Sequence, residues 1–169
     1  MAIVTQPLRD EHRELLPHIE ALRTAADLVG EATAETVSQA VEEAYEFLTH
    51  HLIPHAKAEE EALYPVVGRL LGAPEATATM SRDHVEVGRL TQELERLRSQ
   101  LALAPASAAQ AKELRRVLYG LYALVKVHFA KEEEIYLPLL DARLTPQEGR
   151  EMFEGMEKAA ARAKGGHAT

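Results

Sequence analysis

The 169-residue chain predicts an all-α protein, an up-down-up-down four-helix bundle with an appended C-terminal helix. Three observations predict it. Ala, Leu and Glu supply 28, 23 and 23 residues against 15 for Val and Ile together, a bias toward helix and away from sheet. Apolar residues recur at alternating spacings of four and three, the period of one helix face. The breaks between these runs are short, so successive helices must return alongside one another.

The elements follow from their punctuation. A first helix is expected over about residues 7–29, ended by Gly30. A second covers about 34–71, with Thr33 as N-cap and Gly72 past its end. A third covers about 74–102, followed by Pro105. Ser107 and Gln110 have the spacing of a capping box and open a fourth helix reaching about Arg143. Thr145-Pro146-Gln147-Glu148 is a second such box, with Pro at the first helical position, and starts a fifth helix to about Lys164. Gly165 to Thr169 read as a frayed tail. Residues 1–144 are therefore expected to form the bundle, and 145–169 a helix and tail packed on or beside it.

Composition excludes several classes. Nineteen Lys and Arg against 27 Asp and Glu give a net charge of −8, with no basic field for nucleic acid or anionic lipid. The absence of Cys removes disulfides, thiolate nucleophiles, zinc fingers and iron–sulfur clusters. The first residues lack a basic segment before their short apolar run, and the longest apolar stretch, Val117 to Val125, is far too short for a bilayer. A cytoplasmic location and no membrane partner are the expectations; a protein partner stays open.

Each seam carries something that does not belong in a core. The fourth helix runs Leu114, Leu118, Leu121, Val125, His128, Glu132, Ile135, Leu139; the second runs Val41, Tyr45, Leu48, Leu52, His55, Glu59, Ala62, Val66. The first gives Leu8, His12, Leu15, Ile19, Leu22, Ala26 and Val29, and the third places Met80, His84, Val87, Leu94 and Leu101 on one face. The interruptions repeat. Residues 55–65 and 128–138 share their His, three Glu and Pro at an offset of 73, and Arg9 to His12 fall on Ser81 to His84 at an offset of 72. A pseudo-twofold pair of helical hairpins fits, bringing His12, His55, Glu59, His84, His128 and Glu132 toward one level.

Burying four imidazoles and two carboxylates without partners would cost several kcal/mol per charge. A bound cation pair turns that cost into ligation, so a metal site is the favoured reading over isolated hydrogen-bonded pairs. Imidazole and carboxylate without sulfur suit Fe, Mn or Zn. The two Glu, from opposite halves, are placed to bridge two ions. Neither the Glu-x-x-His of ferritin-like sites nor His-Glu-x-x-His occurs.

With His12, the run His51 to Pro65, Asp83-His84 and the run His128 to Pro138, residues 5–141 resemble the hemerythrin-like proteins of the HHE cation-binding family. The resemblance implies two Fe ions with an oxo or hydroxo bridge, Mn or Zn being possible substitutes. It also implies Glu59 and Glu132 as bridging ligands and reactivity toward dioxygen, peroxide or nitric oxide. Hemerythrin itself has five His, two of them one turn apart on its third bundle helix. Here the positions one turn either side of His84 are Met80 and Gly88. His51, about 40° round the helix from His55, is the expected fifth ligand, although Pro54 could turn it either way. Five His would leave one open position, which suits reversible dioxygen binding; four would leave both metals open, which suits peroxide chemistry.

The remaining candidates read as flanking groups. His18, His50 and His167 are expected at the surface, and Glu60, Glu61, Glu133 and Glu134 off the seam. Tyr64 and Tyr136 are placed in core packing, the commoner role, with hydrogen bonds donated to groups around the site as the alternative, and Pro65 and Pro138 are expected to end or kink their helices. Met152, Phe153, Met156 and Ala160 are expected to cap the bundle. Three functions stay open: oxygen binding or sensing, a di-iron enzyme removing peroxide or nitric oxide, and an iron-handling or metal-switched regulator.

Overall fold

A computed structural model describes residues 3–165; the expected tail past Gly165, with His167, and the first two residues lie outside the described residues. The described chain is helical, with no strand, and no helix in it is long and apolar enough to cross a membrane. Helix α1 is Gln6–Leu28. A long rod, α2, spans 34–71. A 3-10 turn, Pro74–Thr77, leads into α3, Ala78–Leu101. A second rod, α4, spans 108–143, and α5 is Pro146–Gly165. The caps form as their residue types require. The Thr33 side chain accepts from the Thr36 N–H at 3.2 Å, and Ser107 and Gln110 close a reciprocal box. Gly72 ends α2 in the left-handed region at φ 65°, where a side chain would be strained.

Helices α1 and α3 each pack against both α2 and α4, which makes the up-down-up-down ring, while α5 lies along residues 53–63 of α2. The core is split in two. The larger cluster fills one end with Leu15, Ile19, Leu22, Leu48, Leu94, Leu118 and Leu121 among its members. A smaller one, with Leu8, Leu63, Val67, Met80, Leu137 and Leu140, fills the other end and takes Met152, Met156 and Ala159 from α5. Each such aliphatic side chain contributes about 1.5–3 kcal/mol by leaving water. Between the two clusters lies a layer holding His12, His55, Glu59, His84, His128 and Glu132.

Both rods are interrupted at that layer. Leu48–Leu52 and Glu59–Leu63 in α2, and Glu132–Tyr136 in α4, are π-helical turns, each with one extra residue wound in. Every one closes immediately before a proline: the Ile53, Tyr64 and Leu137 N–H groups bond to the carbonyls of Leu48, Glu59 and Glu132, and Pro54, Pro65 and Pro138 follow. The wider turn moves aside the carbonyl that the proline ring would strike in a regular helix. Pro65 and Pro138 thus do not end their rods; each marks the irregular turn that precedes it. Proline alone is insufficient, since Pro17 sits inside α1 without such a turn.

The extra residue shifts the seam by one. Ile135, expected in the core, is 59% exposed, while Leu137 and Leu140 are fully buried. In α2, Leu63, Tyr64 and Val67 are buried in place of Ala62 and Val66. Helix α5 opens with the expected box, Thr145 and Glu148 bonding reciprocally, and Met152 and Met156 cap the smaller core as their spacing predicts.

Candidate metal centre

Six seam residues converge from four helices. Glu59 and Glu132 are fully buried and each faces two histidine pairs. Glu59 Oε1 lies 2.9 Å from His55 Nε2 and 3.9 Å from His12 Nε2, while its Oε2 lies 3.2 Å from His84 Nε2 and 3.8 Å from His128 Nε2. Glu132 reaches His12 Nε2 through Oε2 and His128 Nε2 through Oε1, both at 3.3 Å. One oxygen of each carboxylate therefore goes to each pair. His12, His55, Glu59 and Glu132 form one cluster with ligand-like geometry; Glu59, His84 and His128 form a second that shares Glu59.

The outer nitrogens show why the inner ones are free. His12 Nδ1 is 2.8 Å from Glu133, His84 Nδ1 2.7 Å from Glu60, His55 Nδ1 3.0 Å from Glu11 and His128 Nδ1 3.0 Å from Asp83. A carboxylate only accepts, so each Nδ1 carries a proton and each Nε2 is the nitrogen turned inward, where it would offer its lone pair to a bound cation. The set obeys the pseudo-twofold: the residue after each central Glu holds a His of the other half's type, and the residue before His12 or His84 holds the second. Inward, His12 Nε2, His55 Nε2, both Glu59 oxygens and Glu132 Oε2 are buried with no hydrogen-bond partner. Buried nitrogens and carboxylate oxygens left unpaired are costly, and a divalent cation between them is the group that fits this donor set.

The hemerythrin HHE cation-binding domain model matches residues 4–140. The chain belongs to that family. No curated protein and no solved structure matches the chain significantly. Membership accounts for the four-helix bundle and its buried metal-binding cluster; α5 lies beyond the matched span.

Without metal, protons take the cation's place in this hemerythrin-family site. Burial would depress His12 and His128, but the facing Glu132 and Glu59 outweigh it and push them up to about 9 and about 10. His55 is likewise raised, burial being overcome by Glu59 and Glu11. Burial would raise Glu59, yet His55, His12 and His128 hold it well below the ordinary carboxylate range.

His51 does not join this cluster. It is exposed, stacked in parallel with His18 at 6.4 Å between centroids, with Phe47 alongside. The π turn Leu48–Leu52 precedes His55, so the α-helical offset that placed His51 at the edge of the seam does not hold. His18 and His50 are exposed as expected.

Tyr64 joins it instead. Its hydroxyl donates to Glu132 Oε1 at 3.0 Å and lies 3.4 Å from His84 Nε2 and 3.3 Å from His128 Nε2. Burial, then Glu59 and Glu132, raise its pKa and keep the phenol protonated. On a regular helix Tyr64 would sit about 140° round from Glu59; the π turn bonds the two backbones and puts Tyr64 one turn above it. The trailing Pro65 was the available signal. Beside the cluster is a void of about 20 Å³ walled by Leu52, Ala56, Val87, Val125 and Phe129.

Proposed function

We propose that the chain is a non-haem di-iron protein that binds dioxygen or a related small oxidant. His12 and His55 would hold one Fe, His84 and His128 the other, with Glu59 and Glu132 shared and Mn or Zn as substitutes. The reading rests on one observation: each buried carboxylate offers one oxygen to each histidine pair, with the partnerless atoms all turned inward. Such a pair, when bound, supplies electrons and open coordination positions to a small oxidant. The chain's own residues decide what enters. A void of about 20 Å³, walled by His55, Glu59, His84 and His128 on one side and by Leu52, Ala56, Val87, Val125 and Phe129 on the other, has room for one molecule the size of water or a diatomic gas. Phe129, stacked on His12 at 4.2 Å, closes one side.

His51 falls outside the proposed ligand set, which leaves four histidines. Tyr64 adds a hydroxyl on the His84 and His128 side only; its counterpart at the offset of 73 is Leu137. The two halves are therefore unequal in donors. That same hydroxyl favours the second reading, removal of peroxide or nitric oxide, because it is a hydrogen-bond donor inside the cluster that can stabilise charge developing on a bound oxidant. Iron-loaded protein, reduced without air and then exposed to dioxygen, distinguishes the two. A reversible absorption change supports binding; sustained peroxide consumption that Tyr64→Phe abolishes supports the enzyme. Neither response would overturn both.

A further inference from the structure

The two halves differ most at a place next to His84. Around His12 the second half is closed by a charged network: Arg9 donates to Glu133 Oε2 at 2.5 Å and to Asp141 Oδ2 at 3.3 Å, and the Thr5 N–H and hydroxyl donate to Asp141 at 2.8 and 3.0 Å. At the offsets of 72 and 73, the counterparts of Arg9, Asp141, Glu133 and Thr5 are Ser81, Gly68, Glu60 and Thr77. Among the described residues Glu60 Oε2 receives the Ser81 hydroxyl, at 2.8 Å, where Glu133 receives a guanidinium. No carboxylate stands at 68: a Cβ there would lie 3.1 Å from the Pro74 Cα. The space that Arg9 fills in one half is, in the other, part of a cleft of about 710 Å³, lined by Glu60, Tyr64, Pro65, Pro74 and Ser81 among others.

We infer that this cleft is a binding site for a small organic cation of the guanidinium or amidinium class, its head on Glu60 and its body along Tyr64 and the two prolines. The other half supplies the template, a guanidinium on the equivalent carboxylate. A planar N–H fork on a carboxylate is a charge-assisted pair, and the buried Tyr64, with Pro65 and Pro74, forms the apolar wall beside it. The cleft's own cation, Arg69, is 63% exposed and lies 4.0 Å from Glu148 of α5, so its ion pair is with Glu148 and not with Glu60. Size agrees too, since ligand clefts run from about 300 to 1,000 Å³. An occupant would complete the His84–Glu60 pair as Arg9 completes His12–Glu133. Occupancy needs no metal at the neighbouring histidines, so it can fail without touching the metal reading, and the reverse.

Calorimetric titration of the full chain with butylguanidinium, and with neutral butylurea as its isostere, tests this, with metal content measured on every sample. The expected result is saturable binding of butylguanidinium only, weakened about tenfold or more by Glu60→Gln. Ser81→Ala keeps binding. Ser81→Arg, which supplies the guanidinium from the chain itself, abolishes it and leaves metal content unchanged. Equal binding of butylurea, or undiminished butylguanidinium binding by Ser81→Arg, overturns the assignment.

Discussion

His12 donates its Nδ1 proton to Glu133 at 2.8 Å, and Glu133 is the residue that follows the central carboxylate Glu132. One π turn thus delivers a carboxylate to the inside of the site and another to the outside of a histidine from α1. Glu60 does the same for His84 on the opposite side. Outer carboxylates of this kind fix the tautomer and raise the basicity of the inward nitrogen.

Removing one should weaken metal binding without unfolding the bundle. Glu133→Gln and Glu60→Gln are each expected to lower metal affinity about 10- to 100-fold. Equilibrium competition with a chelator measures this, and circular dichroism should show unchanged helix content.

The register shift makes a prediction about stability. Ile135 is exposed and Leu137 buried, opposite to the unbroken seam. Ile135→Ala should change stability by no more than about 0.5 kcal/mol, and Leu137→Ala should cost about 2–5 kcal/mol. Urea unfolding of the two variants decides; the reverse order would mean that α4 is wound without its π turn.

The metal-free protein should lose stability as pH rises. His12 and His128 have folded pKa values raised to about 9 and about 10, above the ordinary imidazole value of 6.5. Their contribution is complete below 6.5 and disappears as pH climbs through 9 to 10, because the protons that hold the carboxylates together leave. Denaturant midpoints of metal-free protein should therefore fall between pH 7 and 10. A metal that replaces those protons releases them to solvent, and the loaded protein should lack this decline.

Helix α5 presses on the segment that carries His55 and Glu59, with Met152 and Met156 buried against the smaller core. A Cβ on Gly155 would meet the Ala62 Cβ at 3.2 Å. Gly155→Val is expected to loosen α5, seen as faster amide exchange across Pro146–Gly165, while α3 stays protected.

How far the sequence could be read follows the helix period. His12 and His84 lie on helices without a π turn, and His128 and Glu132 precede or open the one in α4, so a regular 3.6-residue repeat locates them; His55 and Glu59 follow the π turn Leu48–Leu52 but are joined to each other by a regular turn, and their copy at 128–132 identifies them. Tyr64, Leu63, Leu137 and Ile135 come after the extra residue, and the same repeat assigns each to the wrong face. Glu60 and Glu133 lie off their own seams as expected, and their roles, like those of Glu11 and Asp83, come from histidines on other helices. His51 was placed by an α-helical offset across a turn that is not α-helical.

The central claim is that two histidine pairs sharing Glu59 and Glu132 hold two metal ions. Iron-to-protein stoichiometry of reconstituted wild-type chain, beside His51→Ala and Glu59→Ala, tests it most directly. Two irons per chain are expected in the wild type and in His51→Ala, and fewer than one in Glu59→Ala, because that carboxylate serves both pairs. Wild-type protein that takes up no metal, or Glu59→Ala that keeps two, would contradict it.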